Sequence, residues 1–129
     1  MTAGYKPRNY NSVSIYLVVD GAQKLIDLLK KIFDAEDLRK HNGPDGNIFH
    51  SEIMIDDSVV MLADATKQYP PIQQLIHVYL PDADSTYKKA IEAGCISVQE
   101  VSQREGEPDR RGAFKDFCGN IWSVSTKVE

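Results

Sequence analysis

Cysteine is scarce. Cys95 and Cys118 are too few for a disulfide framework, and Cys118 lies in a glycine turn where a free thiol is easily housed, so a reducing compartment is expected. Long apolar runs are missing too: nowhere do even ten residues run purely apolar, which excludes a hydrophobic membrane helix. The polar opening MTAGYKPRNYNS has no apolar h-region, so no signal peptide is expected and the predicted location is cytoplasmic. A basic stripe is also absent. Lys and Arg are scattered among 19 acids and the net charge is −4, which argues against nucleic acid and membrane as partners. No serine-centred elbow occurs, and DGAQK and GPDGN read as turns rather than phosphate-cradling loops. What remains is 129 residues, one domain's length, able to bury roughly two thirds of the unfolded surface.

The run Val13 to Val19 is β-branched and stops at Asp20-Gly21, the pattern of a buried strand. Leu25, Leu28, Leu29, Ile32 and Phe33 then form one helical stripe, with Lys24, Asp27, Lys30 and Lys31 opposite. A short strand is expected near Leu38 to His41, a hairpin loop over Asn42 to Gly46, and strands at Ile48 to Ile55 and Val59 to Ala63. The order then restarts: a strand over Leu75 to Leu80, a helix over Asp84 to Ala93 with Gly94 beyond its end, and strands at Cys95 to Val101, Arg111 to Lys115 and Ile121 to Thr126. A constant offset of 62 links the halves, pairing Val13 with Leu75, Asp20 with Asp82, Leu25 with Tyr87 and Met61 with Ser123. The predicted class is α+β, one domain over 1–129, with βαβββ modules at about 11–65 and 74–127 and a linker at 66–73.

Four segments in correct order resemble the vicinal oxygen chelate superfamily of glyoxalases, bleomycin-resistance proteins and extradiol dioxygenases, in the branch called PhnB-like. They are YLVVDGAQKLIDLLKKIFDAED, PDGNIFHSEIMIDDSVVMLAD, HVYLPDADSTYKKAIEAG and DRRGAFKDFCGNIWSVST. The resemblance implies a curved mixed sheet around a ligand cavity, helices on its convex face, and a homodimer. In metal-dependent members, four ligands drawn from His, Glu and sometimes Gln stand on the first, fourth, fifth and eighth strands. Here those positions fall on Val13, Met61, Leu75 and Ser123, and a one-residue slip would bring in Ser14. None supplies the imidazole or carboxylate that a divalent ion needs, so neither metal nor other cofactor is expected.

Strand alternation independently sorts the faces. Ile76, Val78 and Leu80 belong with a helix, leaving Leu75, His77 and Tyr79 for the cavity; Phe49, Ile53 and Ile55 belong with a helix, sending His50, Glu52 and Met54 inward. Tyr16 and Trp122 are expected in the core, while Asp116 and Asn120 are expected to fix the turn around Gly119. Three readings of His50 and Glu52 stand side by side. They pair internally or with an arginine, they orient a ligand, or with His77 they build an unusual metal site, although side chains two apart on a strand are about 7 Å apart. Arg110 and Arg111 are either solvated or clamp an anionic group at the cavity rim.

The expected ligand site is therefore His50, Glu52, Met54, Met61, Leu75, His77, Tyr79, Arg110, Arg111 and Ser123. The function expected first is metal-independent binding of a small hydrophobic or amphipathic molecule, such as a drug or metabolite. The alternatives are an enzyme using His50 and Glu52 for acid–base or metal-assisted chemistry, and a domain kept for assembly alone. Fold analogy does not choose among them.

Overall fold

Apolar spacing and capping account for both helices of the computed structural model, which describes residues 4–129. The elements run β1 (Ile15–Val19), α1 (Ala22–Phe33), β2 (Glu36–Asn42), β3 (Ile48–Ile55), β4 (Ser58–Asp64), β5 (Leu75–Tyr79), α2 (Ala83–Glu92), β6 (Ile96–Ser102), β7 (Asp109–Lys115) and β8 (Ile121–Lys127). They form two four-stranded mixed sheets, ordered β1-β4-β3-β2 and β5-β8-β7-β6, each with one helix. This is the α+β class and the twice-given βαβββ order that the sequence implies. The chain divides into a first unit ending at Ile72 and a second over Gln73–Glu129.

In the first unit, α1 buries Leu25, Ile26, Leu29 and Ile32 against one face of its sheet, where Leu17, Ser51, Ile53 and Leu62 are also buried. Gly21 caps α1 in the left-handed region, at φ 87°, and offers no side-chain acceptor. Asp64 supplies it from the end of β4. One carboxylate oxygen accepts from Ala22 N at 2.8 Å and the other from Ile48 N at 2.8 Å, so one side chain ties the helix start to β3. In the second unit Thr126 Oγ1 accepts from Ala83 N at 2.8 Å, and Asp82 accepts from Ser85 N at 3.1 Å.

The second core is aromatic, with Trp122 and Phe114 completely buried. Asp116 accepts from Cys118 N, Asn120 N and Trp122 Nε1 at 2.8, 3.0 and 2.9 Å, which locks the turn and anchors the indole. Asn120 holds the start of β5 by accepting from Gln74 N at 2.8 Å. Gly119 sits at φ 88°, and a Cβ there would strike Gln73. The expected roles of Asp116, Asn120 and Trp122 are thus the observed ones.

Two expectations change. The first strand starts at Ile15, leaving Val13 85% exposed outside the sheet. The repeat is also not constant. Tyr16 pairs with Met61 in the first sheet and His77 with Ser123 in the second. Met61 and Ser123 keep the offset of 62, but Tyr16 corresponds to His77, one residue nearer, as do the helix caps Gly21 and Asp82. The hairpins account for the slip: β3 and β4 join across Asp56-Asp57, whereas β7 and β8 join across the longer Asp116–Asn120 turn.

Candidate functional site

A cavity of about 710 Å³ opens on the helix-free face of the first sheet. Tyr16 and Val18 of β1, Ala63 of β4 and His50 of β3 form its floor. Phe49 joins them because of a break in register. His41 pairs with His50 and Asn42 with Ile48, so Phe49 is the extra residue of a bulge. Its ring is 76% exposed and lines the cavity, correcting the expectation that it packs with the helix. The far wall comes from the segment after β4. Ala65 N donates to Val19 O at 2.8 Å and Ile72 N to Val18 O at 3.0 Å, laying this stretch beside β1 and bringing Tyr69 and Ile72 to the cavity. The β2–β3 loop closes another side, held by Gly43 N donating to Asn47 O at 2.7 Å.

Beside the floor, on the same face of the sheet, lies a polar network centred on Glu52, whose side chain is 4% exposed. Arg39 Nε donates to Glu52 Oε1 at 3.0 Å, His50 Nε2 contacts Oε2 at 2.8 Å, and the Tyr10 hydroxyl donates to Oε1. Burial works against the charged carboxylate, but donation from Tyr10, His50 and Arg39 outweighs it and holds the Glu52 pKa below its ordinary value. The same contacts raise Arg39, while burial first and Glu52 second raise Tyr10. A carboxylate only accepts, so His50 Nε2 carries a proton; Nδ1, 2.9 Å from the Tyr16 hydroxyl, then accepts in the neutral ring. Tyr16 is raised by burial and by the Glu52 charge. Internal pairing of His50 and Glu52, one of the three readings of the sequence, is what the geometry contains.

Tyr16, Tyr10 and Arg39 were not foreseen. The offset of 62 matches Tyr16 to the helix-facing Val78, whereas the register matches it to His77, and the helix caps Gly21 and Asp82 share that shorter offset. Arg39 reaches Glu52 where β2 carries an extra residue between Asp37 and Lys40. Nothing in the local pattern announces that bulge. Tyr10 lies outside every regular element.

The other expected site residues are more dispersed. Met54 on β3 and Met61 on β4, the cross-strand partner of Glu52, are half-buried. In the second unit, His77 Nδ1 meets Ser123 Oγ at 3.0 Å, its ring meets Tyr79 edge-on at 4.9 Å, and the Tyr79 hydroxyl donates to Asp109 at 2.5 Å. That hydrogen bond to Asp109 raises the Tyr79 pKa. Leu75 is 72% exposed. Arg110 forms a two-point pair with Asp84 of α2, at 2.7 and 2.9 Å, and so turns toward the helix. Arg111 lies 3.7 Å from Glu107.

The model for the glyoxalase/bleomycin resistance protein/dioxygenase superfamily matches residues 11–124. The chain belongs to this superfamily. An uncharacterized protein of Mycobacterium bovis is 31% identical, over 91% of this chain and 84% of its own length. Among solved structures, TioX from Micromonospora sp. ML1 superposes with a TM-score of 0.74 at 19% identity, covering 92% of this chain and 99% of that one. TnmS3, an antibiotic binding protein from Streptomyces sp. CB03234, gives 0.70 at 16% identity, covering 92% and 99%. At such identities the two structures speak for the fold alone.

The metal that other members of the superfamily bind does not fit the residues here. The register puts Ser14, beside Ile15, in the position equivalent to Leu75, so the quartet reads Ser14, Met61, Leu75 and Ser123. Two hydroxyls, a thioether and an alkyl chain lack the imidazole or carboxylate donors of such sites. Among the described residues no three of His, Cys, Asp and Glu converge as a metal ion would require, the combination of His50, Glu52 and His77 included. Cys95 is no substitute thiolate, because burial pushes its thiol up to about 11. Among the described residues no helix is long and apolar enough to cross a membrane.

Proposed function

We propose that this chain is a metal-independent binding protein of the PhnB-like branch, acting as a cytoplasmic homodimer that holds a small hydrophobic or amphipathic molecule in the first-unit cavity. The cavity carries the reading. About 710 Å³ lies within the range of small-molecule sites, and its walls are mainly aliphatic and aromatic with a few polar groups. His50 and Tyr16 orient the ligand, and Glu52 acts through His50 by fixing which ring nitrogen carries the proton. Met54 and Met61 belong to the same face; Leu75, His77, Tyr79, Arg111 and Ser123 form a second contact surface, with Arg110 at its edge. An antibiotic-binding structural relative supports a drug or metabolite as ligand.

A thermal-shift screen of hydrophobic drugs and metabolites, on protein stripped with a chelator, tests this. A ligand present at a hundred times its Kd adds about 2.7 kcal/mol of stability. Melting unchanged across a broad screen, or shifts appearing only when metal is restored, would count against it.

One observation favours a second reading. The Glu52–His50–Tyr16 chain resembles a base with its orienting carboxylate, which suits proton abstraction from a bound substrate. Turnover of a screened ligand, lost in His50→Gln with binding retained, would establish it.

A further inference from the structure

We infer that the cavity selects a hydrophobic cation, an aromatic or polycyclic amine, over neutral and anionic molecules of the same shape. This rests on the proposed binding role and adds the ligand's charge. No lysine or arginine lines the cavity among the described residues, whereas Asp45 and Asp64 do. Lys67 lies one residue from the lining Thr66 but is not part of the wall. Both carboxylates are engaged by neutral donors only in the bonds described: Asp64 by the N–H groups of Ala22 and Ile48, Asp45 by Asn47 N at 3.1 Å and Asn47 Nδ2 at 3.2 Å. Neither of these arrangements brings a full positive charge, although the start of α1 offers Asp64 a partial one.

The remaining walls favour the same charge. Tyr16, Phe49 and Tyr69 present three aromatic rings, whose faces attract cations. In the neutral imidazole ring Glu52 holds the proton on Nε2, and the Tyr16 hydroxyl donates to His50 Nδ1. Arg39, the guanidinium of the neighbouring network, is paired with Glu52 and is not part of the cavity wall. An ammonium group thus meets carboxylates and aromatic rings, while a carboxylate or phosphonate meets no lysine or arginine among the described lining residues.

Three probes sharing a three-ring frame separate charge from shape: 9-aminoacridine, a cation at neutral pH, neutral 9-anthracenemethanol, and anionic 9-anthracenecarboxylate. Calorimetric titration of the full chain is expected to give 9-aminoacridine an affinity about tenfold or more above the others, a margin that shrinks with added salt. Asp45→Asn should narrow the margin several-fold without changing the neutral compound. Phe49→Arg, at a position 76% exposed, should abolish the cation's advantage. Equal or tighter binding of the anion, or a margin indifferent to both substitutions, overturns the inference while leaving small-molecule binding intact. Failure of all three probes to bind overturns the inference and counts against the binding role as well.

Discussion

Glu52 is the residue on which the site's polar chemistry turns. Three donors converge on one buried carboxylate, and Glu52→Gln keeps its shape while removing its charge. The variant is expected to lose about 1–3 kcal/mol at neutral pH, as when one partner of a buried network is altered. The pH dependence has a definite sign. Because the folded pKa of Glu52 lies below its ordinary value, its stabilisation is complete above the unfolded carboxylate pKa and disappears as pH falls through the folded value. Denaturant melts of both proteins should therefore converge in acid; a gap that persists or widens there would assign the loss to packing. The pairing of His50 with Glu52 was legible from strand alternation. The role of Tyr16 was not, since one residue's error in the repeat sends a strand side chain to the opposite face.

At the scale of elements, both helices and all eight strands were legible in order, because apolar periodicity and glycine turns mark them locally. The breaks in that periodicity were not. The bulge at Phe49 and the extra residue of β2 leave no local signature, yet they put one aromatic ring into the cavity and one guanidinium onto Glu52. Asp64 shows the same limit. It reads as a turn residue after a strand, while its work is to satisfy backbone donors of both α1 and β3. Asparagine has one carbonyl oxygen where aspartate has two equivalent acceptors, so Asp64→Asn should cost about 1–2 kcal/mol of stability. Hydrogen exchange should quicken at the start of α1 or at Ile48. An unchanged melting midpoint and exchange pattern would mean that water replaces the lost acceptor.

For the whole molecule, the exposed apolar surface of the second sheet bears on assembly. Leu75 pairs with Ile121, Ile121 with Lys115 and Lys115 with Ile96, so Leu75 and Ile96 share the helix-free face, at 72% and 66% exposure. Tyr79, also on that face, is 56% exposed. Apolar side chains gathered on one face mark an interaction surface, and a two-fold pair of copies is the commonest way to cover one. Sedimentation should show a dimer of the 14.5 kDa chain that Leu75→Lys or Ile96→Lys weakens. A monomer at micromolar concentration would contradict the assembly.

The central claim, that the first-unit cavity holds an apolar molecule without a metal, is tested most directly by titrating chelator-treated protein with N-phenyl-1-naphthylamine, a neutral dye that brightens in apolar surroundings. Saturable binding of one dye per chain is expected, abolished by Ala63→Phe, whose ring would fill the cavity floor. Dye binding that persists undiminished in the folded Ala63→Phe protein, or that requires added divalent metal, would contradict it.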